Sequence, residues 1–439
     1  MNSPALTAPT DHELDLARIF TDRHGADLRY TAQHGCWHIW KNTHWEKDIT
    51  LEVNDRARKV CEEAAVANSR IPSKQMRLAS CQTVDSIERL ARADPAHAAI
   101  ASQWDANPWL LNTPGGVVDL RTGKLRPAAR EDYMSRITAA TPGGDCPQWR
   151  SFLSRFTNGD TGYEDYLQRV CGYTLTGTTT EQQLFFLYGM GANGKSVFLN
   201  TITGLLGNYS KPAPMETFIA SYKENHPTEL AGLQGIRLVS AIEPEEGRQW
   251  AESKIKLLTG GDPIAARFMR QDFFTFTPQF KLIIAGNHKP GLRSVNEAMR
   301  RRLKILPLTG MVPVEERDHE LTGKLRKEWG GILQWMIDGC LKWQTEGLHA
   351  SQNVKDATDE YLASEDLLAQ WIEERCVKEG SRSALTQDLF ADWQFWCQGN
   401  SYHCDSIKRF SQNLESHGFK RVHTRDGNRF EGISLHWSA

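Results

Sequence analysis

The 439-residue chain carries 52 Lys and Arg against 54 Asp and Glu, with 40% hydrophobic and 24% charged residues. That length predicts two to four domains, and a formal charge of −2 excludes a protein that coats nucleic acid through overall basicity, so any basic surface must be local. No run approaches the ~18 apolar residues of a membrane span, and nine cysteines without a C-x-x-C pair argue against a zinc site and for reduced thiols in a cytoplasmic setting. Cys397, His403 and Cys404 are a weak metal pattern, read here as ordinary core or surface residues.

Residues 1–12 are polar, hold Pro4 and Pro9 and lack a signal-peptide core, so a disordered tail is expected. Residues 13–145 read as a mixed α+β domain. Within it, Cys36 to Trp45 is an aromatic hairpin. Trp37, Trp40 and Trp45 either pack as its core, the simpler reading, or stack on nucleobases. Val53, Ala57, Val60, Cys61 and Ala64 recur at helical spacing, and a second helix is expected from Lys74 to Arg92, before Pro95. Trp109 to Asn112 reads as a strand and Gly116 to Leu125 as a tight hairpin. Pro142-Gly143-Gly144 marks a boundary, and 146–182 reads as a helical collar broken at Gly159.

Residues 183–310 carry the densest signals. Leu184 to Tyr188 is an apolar strand. It runs into Gly189-Met190-Gly191-Ala192-Asn193-Gly194-Lys195-Ser196, followed by an apolar-periodic helix from Val197. This is G-x-x-x-x-G-K-[ST] in its strand–loop–helix context. Backbone amides wrap phosphates, Lys195 reaches the β- and γ-phosphates, and Ser196 ligates Mg²⁺. The helix N-terminus favours the same anion. Next come a strand over Ile236 to Ile242, a helix over Trp250 to Leu258 stopped by Gly260-Gly261, and a hairpin of Ile264–Met269 with Phe273–Phe280. Buried strands follow over Lys281 to Gly286 and Arg302 to Pro307. Apolar strands alternating with helices and ending in polar groups predict a parallel α/β core with its ligand at the C-terminal strand edge. Residues 311–378 read as a helical extension. Over 379–439, helices at Leu385–Trp396 and Ser406–Ser416 and a hairpin about Asp426-Gly427 read as a winged helix, although 380–439 holds only seven Lys/Arg against six Asp/Glu.

Hydrolysis of a phosphoanhydride needs a carboxylate to position water, a polar group at the γ-phosphate and positive charge for the transition state. Glu243 ends an apolar strand 48 residues after Lys195, where it would polarise the attacking water and help hold hydrated Mg²⁺, with Glu245 or Glu246 assisting. Asn287 ends the next strand and can orient water without repelling phosphate. Arg300, Arg301 and Arg302 alternate in direction, so at least one can face a phosphate. Either they form a solvated basic face or one is a finger lent to a neighbouring subunit.

These motifs, in this order, resemble those of superfamily 3 helicases, and more narrowly the primase–helicases of phages, plasmids and poxviruses. The residues that carry the resemblance are the Lys195 loop, the Glu243 strand, the hairpin, Lys281 to Pro290, and Asn296 to Leu303. The resemblance implies an AAA+-like hexameric ring that hydrolyses ATP with Mg²⁺ and translocates on single-stranded DNA at a fork. It implies a replication role in a bacterial or phage-infected cell. Arg301 and Arg302 match the family's paired arginines. The channel hairpin falls on 264–280, making Arg267, Arg270, Gln271 and Lys256 DNA-contact candidates, with Lys289 facing the channel or an interface. Two departures stand out. Arg300 occupies a place where relatives often have an aromatic residue, and the acidic motif is Glu-Pro-Glu rather than two adjacent acids. No primase domain is expected before the helicase, so priming would fall to a separate primase or replication protein. The rival reading is an ATP-regulated origin-binding initiator or loader without processive unwinding.

Overall fold

The computed structural model describes residues 12–191, 193–220, 230–242, 247–267, 273–292, 295–310, 312–400, 402 and 404–436. Ala192, Glu243, Glu245, Glu246, Arg270, Gln271 and His403 lie outside the described residues.

The N-terminal part is built from α1 (Glu13–His24), β1 (Leu28–Thr31), β2 (Cys36–Trp40), β3 (Trp45–Lys47), α2 (Glu52–Ala67), α3 (Pro72–Leu78) and α4 (Cys81–Arg92). β2 pairs antiparallel with β1 and β3, setting Trp40 opposite Trp45. The single helix expected over 74–92 is two. Ser80 divides them, because its hydroxyl accepts the Thr83 amide at 3.3 Å and caps α4. Trp37 and Trp45 are buried. Trp37 donates its indole N–H to Glu88 at 2.5 Å, and Trp45 donates to the Arg130 carbonyl at 3.0 Å. These two rings belong to the core and offer no face to a base.

A second antiparallel sheet, β4 (Leu110–Thr113), β5 (Gly116–Asp119) and β6 (Lys124–Arg126), precedes α5 (Pro147–Phe156) and α6 (Thr161–Thr174). Then come β7 (Leu184–Tyr188), α7 (Lys195–Leu206), β8 (Ser210–Pro212), β9 (Leu238–Ile242), α8 (Glu252–Gly260), β10 (Ile264–Ala266), β11 (Phe274–Phe276), β12 (Lys281–Gly286), α9 (Glu297–Arg300) and β13 (Leu303–Pro307). Five of these form a wholly parallel sheet in the order β13-β7-β12-β9-β8. β10 and β11 make a separate antiparallel hairpin. β8 has no counterpart in the sequence reading, because Ser-Lys-Pro carries no apolar run. β7 shows why the sheet is buried on both sides: Phe185 and Leu187 enter one apolar cluster, Leu184 and Phe186 the other.

Helices α10 (Leu321–Lys327), α11 (Trp329–Glu346), α12 (Gln352–Glu365) and α13 (Leu367–Arg375) follow. α11 adds Ile332, Leu333, Met336 and Ile337 to the first cluster, and α12 adds Tyr361 and Leu362 to the second. The C-terminal unit comprises β14 (Cys376–Leu385), α14 (Thr386–Gly399), α15 (Ile407–Ser416), β15 (Lys420–Thr424) and β16 (Gly427–Leu435), with the strands antiparallel in the order β14-β16-β15. β14 begins where helix was expected up to 378. Its exposed polar middle, with a register shift between Lys378 and Ser383, gives no strand alternation to read.

Two cations are buried at the N-terminal edge of the parallel sheet, and among the described residues neither forms an ion pair with a carboxylate. Arg237 is 0% exposed and Lys281, the first residue of β12, is 2% exposed. Arg237 donates to the carbonyls of Leu175 and Leu110 and lies on the Tyr209 ring at 4.6 Å. Lys281 donates to the carbonyls of Thr176, Thr178 and Gln279 and lies on the Tyr173 ring at 4.8 Å. Burial pushes the Lys281 ammonium well below its ordinary pKa. These contacts bind the collar and β4 to the base of β9 and β12.

α6 and α11 meet through two glycines. A Cβ on Gly172 would lie 2.1 Å from the Cys340 amide nitrogen, and one on Gly339 would lie 2.1 Å from the Gln168 carbonyl. The obstacle is backbone, so the helices must separate. Gly172→Ala should lower stability by about 1–3 kcal/mol, as overpacking does. Gly323→Ala on α10, where an added Cβ would meet no other part of the chain within 4 Å, should be neutral or stabilising. Urea titrations of both variants check this, and a neutral Gly172→Ala would contradict the close packing.

Candidate functional site

The loop between β7 and α7 sits at the C-terminal edge of the parallel sheet. Its path depends on glycine at two places. A Cβ on Gly189 would lie 2.4 Å from the Leu308 carbonyl, and Gly194 holds φ +86°. The Asn193 side chain, 5% exposed, donates to the Leu308 carbonyl at 3.3 Å and ties the loop to the end of β13. Lys195 turns back into the loop, donating to the Gly189 carbonyl and to Asn193 Oδ1 at 3.0 Å. Among the described residues its ammonium meets only neutral acceptors, and burial pushes its pKa down. Gly191 and Ser196 are exposed, Met190 is 70% exposed, and Val197 lines the neighbouring cavity. An anion in this loop would meet the amides of the α7 N-terminus and the Lys195 ammonium.

The sheet register places other candidates at the same edge. Gly286 of β12 pairs with Tyr188, so the exposed Asn287 stands level with Gly189. Ile242 pairs with Ala285, so β9 also ends here. Lys289, expected to face the channel or an interface, sets its ammonium over the Tyr188 ring at 4.4 Å and the Tyr361 ring at 5.6 Å, at the loop edge and away from the hairpin. Arg267 lies at the hairpin, its guanidinium over the exposed Phe273 ring at 4.8 Å. Lys256 is half-buried on α8.

Beside the loop opens a cavity of about 860 Å³ that no motif announced. Phe152 and Phe156 of α5, Asn193, Gly194 and Val197 form one side, and the 310–321 segment, with Val312 and Arg317, forms the other. Its walls come from three distant stretches of chain, of which only the one through Asn193 and Gly194 carries a fixed pattern. The signal in the sequence was the aromatic spacing of Trp149, Phe152 and Phe156, which stack in series with Phe198 of α7.

The arginine triplet is divided by the fold. Arg302, expected as a finger, is 5% exposed and donates to Thr259 Oγ1 at 3.1 Å, the Ala298 carbonyl at 2.9 Å and Gln182 Oε1 at 3.4 Å. Its guanidinium is consumed in bracing β13 against α8, and it does not project towards a neighbour. Arg300 pairs with Asp366 at 3.4 Å. Arg301 is exposed. It stands before β13, whereas the Lys195 loop adjoins the other end of that strand, about 16 Å away at ~3.3 Å per residue.

Residues 17–158 match a family described as D5 N terminal like, and residues 187–302 match a family of unknown function, DUF5906. Three viral proteins, each named "Putative helicase", align with much of the chain. L207/L206 of Acanthamoeba polyphaga mimivirus is 26% identical over 67% of the chain, 121R of Invertebrate iridescent virus 3 is 25% identical over 66%, and 022R of Frog virus 3 is 25% identical over 56%. The N-terminal part thus resembles the D5 N-terminal family, and much of the chain resembles viral proteins named as putative helicases. It spans about a third of the length of these relatives, 34%, 35% and 27% respectively. Two apo structures of the NrS-1 C-terminal region share this chain's fold. One has a TM-score of 0.54 at 9% identity, covering 96% of this chain and 99% of that one; the other has 0.51 at 11%, covering 92% and 86%. None of the described helices is long and apolar enough to cross a membrane.

Asp366 links the triplet to the C-terminal unit. His417 Nε2 lies 3.1 Å from Asp366 Oδ1, and this hydrogen bond raises the His417 pKa. Burial pushes the Asp366 carboxyl up, but the His417 hydrogen bond and the nearby charges outweigh it and leave its pKa lowered. A raised folded-state pKa contributes stability below the ordinary histidine value of about 6.5. That contribution disappears as pH rises through the higher folded value. Unfolding followed across neutral pH should therefore show the C-terminal unit losing stability on the alkaline side. His417→Gln should flatten that loss, and an unchanged pH profile in the variant would refute the role of this pair.

Proposed function

We propose that this D5-like chain is an ATP-dependent superfamily 3 DNA helicase serving replication of a virus or mobile element. It would act as an AAA+-like ring on single-stranded and forked DNA, with a winged helix formed by its C-terminal unit. The observation that carries the reading is Lys195, a half-buried ammonium that meets only neutral acceptors among the described residues, in a glycine-shaped loop at the end of a parallel sheet. The donor set fits a nucleoside triphosphate: amides and Lys195 for phosphates, the exposed Ser196 hydroxyl as an Mg²⁺ ligand, and the adjoining cavity for base and ribose. Bound Mg²⁺ would supply charge neutralisation of the phosphate oxygens. Asn287 is level with the loop and orients water. Glu243 follows the neighbouring strand in sequence and polarises that water.

Arg301 lies too far along β13 to serve the loop of its own chain, which favours its action on a neighbouring copy and so a ring in which sites are shared. Arg267 at the hairpin is the DNA contact, with Arg270 and Gln271 beyond it in sequence. The origin-binding initiator reading rests on the C-terminal unit, whose β15–β16 hairpin carries Lys420, Arg421, Arg425 and Arg429.

Lys195→Ala should lower ATPase and unwinding at least about 100-fold, as loss of one preorganised donor does, with an unchanged melting curve; full unwinding by that variant would falsify the reading. Mixing Arg301→Ala with Lys195→Ala subunits should restore part of the hydrolysis, and no rescue at any ratio counts against shared sites. Arg267→Ala should stop translocation, whereas an initiator would keep origin binding and show no unwinding even as the wild type.

A further inference from the structure

A second cavity, about 370 Å³, lies where the N-terminal part meets the loop that leads into β9, at the sheet edge opposite Lys195. β2 presents Cys36 and His38 on one face, and His34 precedes them. His38 is 8% exposed, and neither ring nitrogen has a hydrogen-bond partner among the described residues; Nδ1 is wholly enclosed. His34 Nε2 and Arg136 Nε are likewise enclosed and unpartnered. Unpaired buried polar groups are costly, so three in residues that line one cavity call for an explanation. Burial pushes both imidazoles down, His38 to about 4, so they are neutral at pH 7.

The rest of the wall indicates what the cavity takes. The His38 ring lies against Trp104, centroids 4.2 Å apart and planes 30° apart, so a flat aromatic surface is already in place. Lys47 stands exposed at the rim. Arg136 is held by the carbonyls of Asn208 at 3.2 Å and Gln234 at 3.0 Å. Asp105, a carboxylate in the wall, is occupied by Ser135 and by the Arg136 amide at 3.2 Å. Fixed cations disfavour a metal ion, and among the described residues no group of three metal-ligating side chains forms. Cations, neutral imidazoles and an aromatic pair suit a phosphate joined to a base. The volume is near the lower end of ligand pockets, about 300–1,000 Å³, and admits one nucleotide. His34 also meets Phe274 of β11 at 6.3 Å, near edge-on, which sets the cavity beside the hairpin.

We propose that this interdomain cavity binds one nucleoside monophosphate unit, its phosphate on Lys47 and Arg136 and its base on Trp104 and His38. The source is a free nucleotide or the phosphorylated end of a DNA strand. The site shares no residue with the Lys195 loop, so it stands or falls independently of the ATPase reading.

Equilibrium dialysis of radiolabelled dAMP against the whole chain tests it, with excess non-hydrolysable ATP analogue present and again with Lys195→Ala. One dAMP should bind per chain under both conditions. Lys47→Ala, a change at an exposed position, should weaken it about tenfold, the equivalent of one charge-assisted hydrogen bond. His38→Phe, which keeps a ring for stacking, should bind dAMP as the wild type does, whereas His38→Ala should weaken it about tenfold. A 5′-phosphorylated oligonucleotide that outcompetes dAMP, and loses that advantage without its phosphate, identifies a strand end; equal competition identifies a free nucleotide. The proposal is overturned if the ATP analogue displaces all dAMP, if Lys47→Ala binds as well as the wild type, or if inorganic phosphate competes as well as dAMP.

Discussion

Arg237 and Lys281 impose the constraint on which the rest of the chain depends. Two basic groups beneath a parallel sheet would be expensive to bury without partners. Here the partners are carbonyls of the collar, of β4 and of the segment before β12, with an aromatic ring over each cation. Removing those segments would leave these groups unmet, so the N-terminal part and the sheet form one structural unit. The glycine contact between α6 and α11 closes the same assembly from the outside.

This arrangement polarises the sheet. Its N-terminal edge is saturated by the collar contacts and by Arg302, while its C-terminal edge carries groups whose bonding is provisional. Lys195 rests on neutral acceptors, Asn287 is exposed, and Lys289 leans on two rings. A lysine that holds loop carbonyls can exchange them for phosphate oxygens without disturbing the core, because Asn193 keeps the loop fastened to β13. The two cavities fall on opposite edges, separated by the length of the strands.

The parallel core was legible because β7, β9 and β12 are apolar runs buried on both faces, each ending at a polar group. The loop motif could be placed for the same reason. What escaped was short or polar: β8 is three residues, and the exposed middle of β14 has no alternation. Ser80 divided one expected helix because a single hydroxyl can outcompete a helical bond, which periodicity does not register. The triplet Arg300 to Arg302 shows the limit at the site. Alternation along the chain predicts that three arginines point apart, but not that Arg302 will find Thr259 and Gln182 on elements 43 and 120 residues away. Both cavities have walls drawn from distant segments, so local spacing reveals at most one wall, as the Trp149, Phe152 and Phe156 series does for the larger cavity.

The partners of the buried cations have a consequence for sequence drift. A carboxylate partner would require Asp or Glu at a fixed position, but a main-chain carbonyl is supplied by every residue type. The positions facing Arg237 and Lys281 can therefore change side chain freely while the clamp persists. Divergence can erase most identity along the collar and β4 and leave the docking of the two halves untouched. Relatedness in such a protein is recorded in the path of its backbone long after it has faded from its letters.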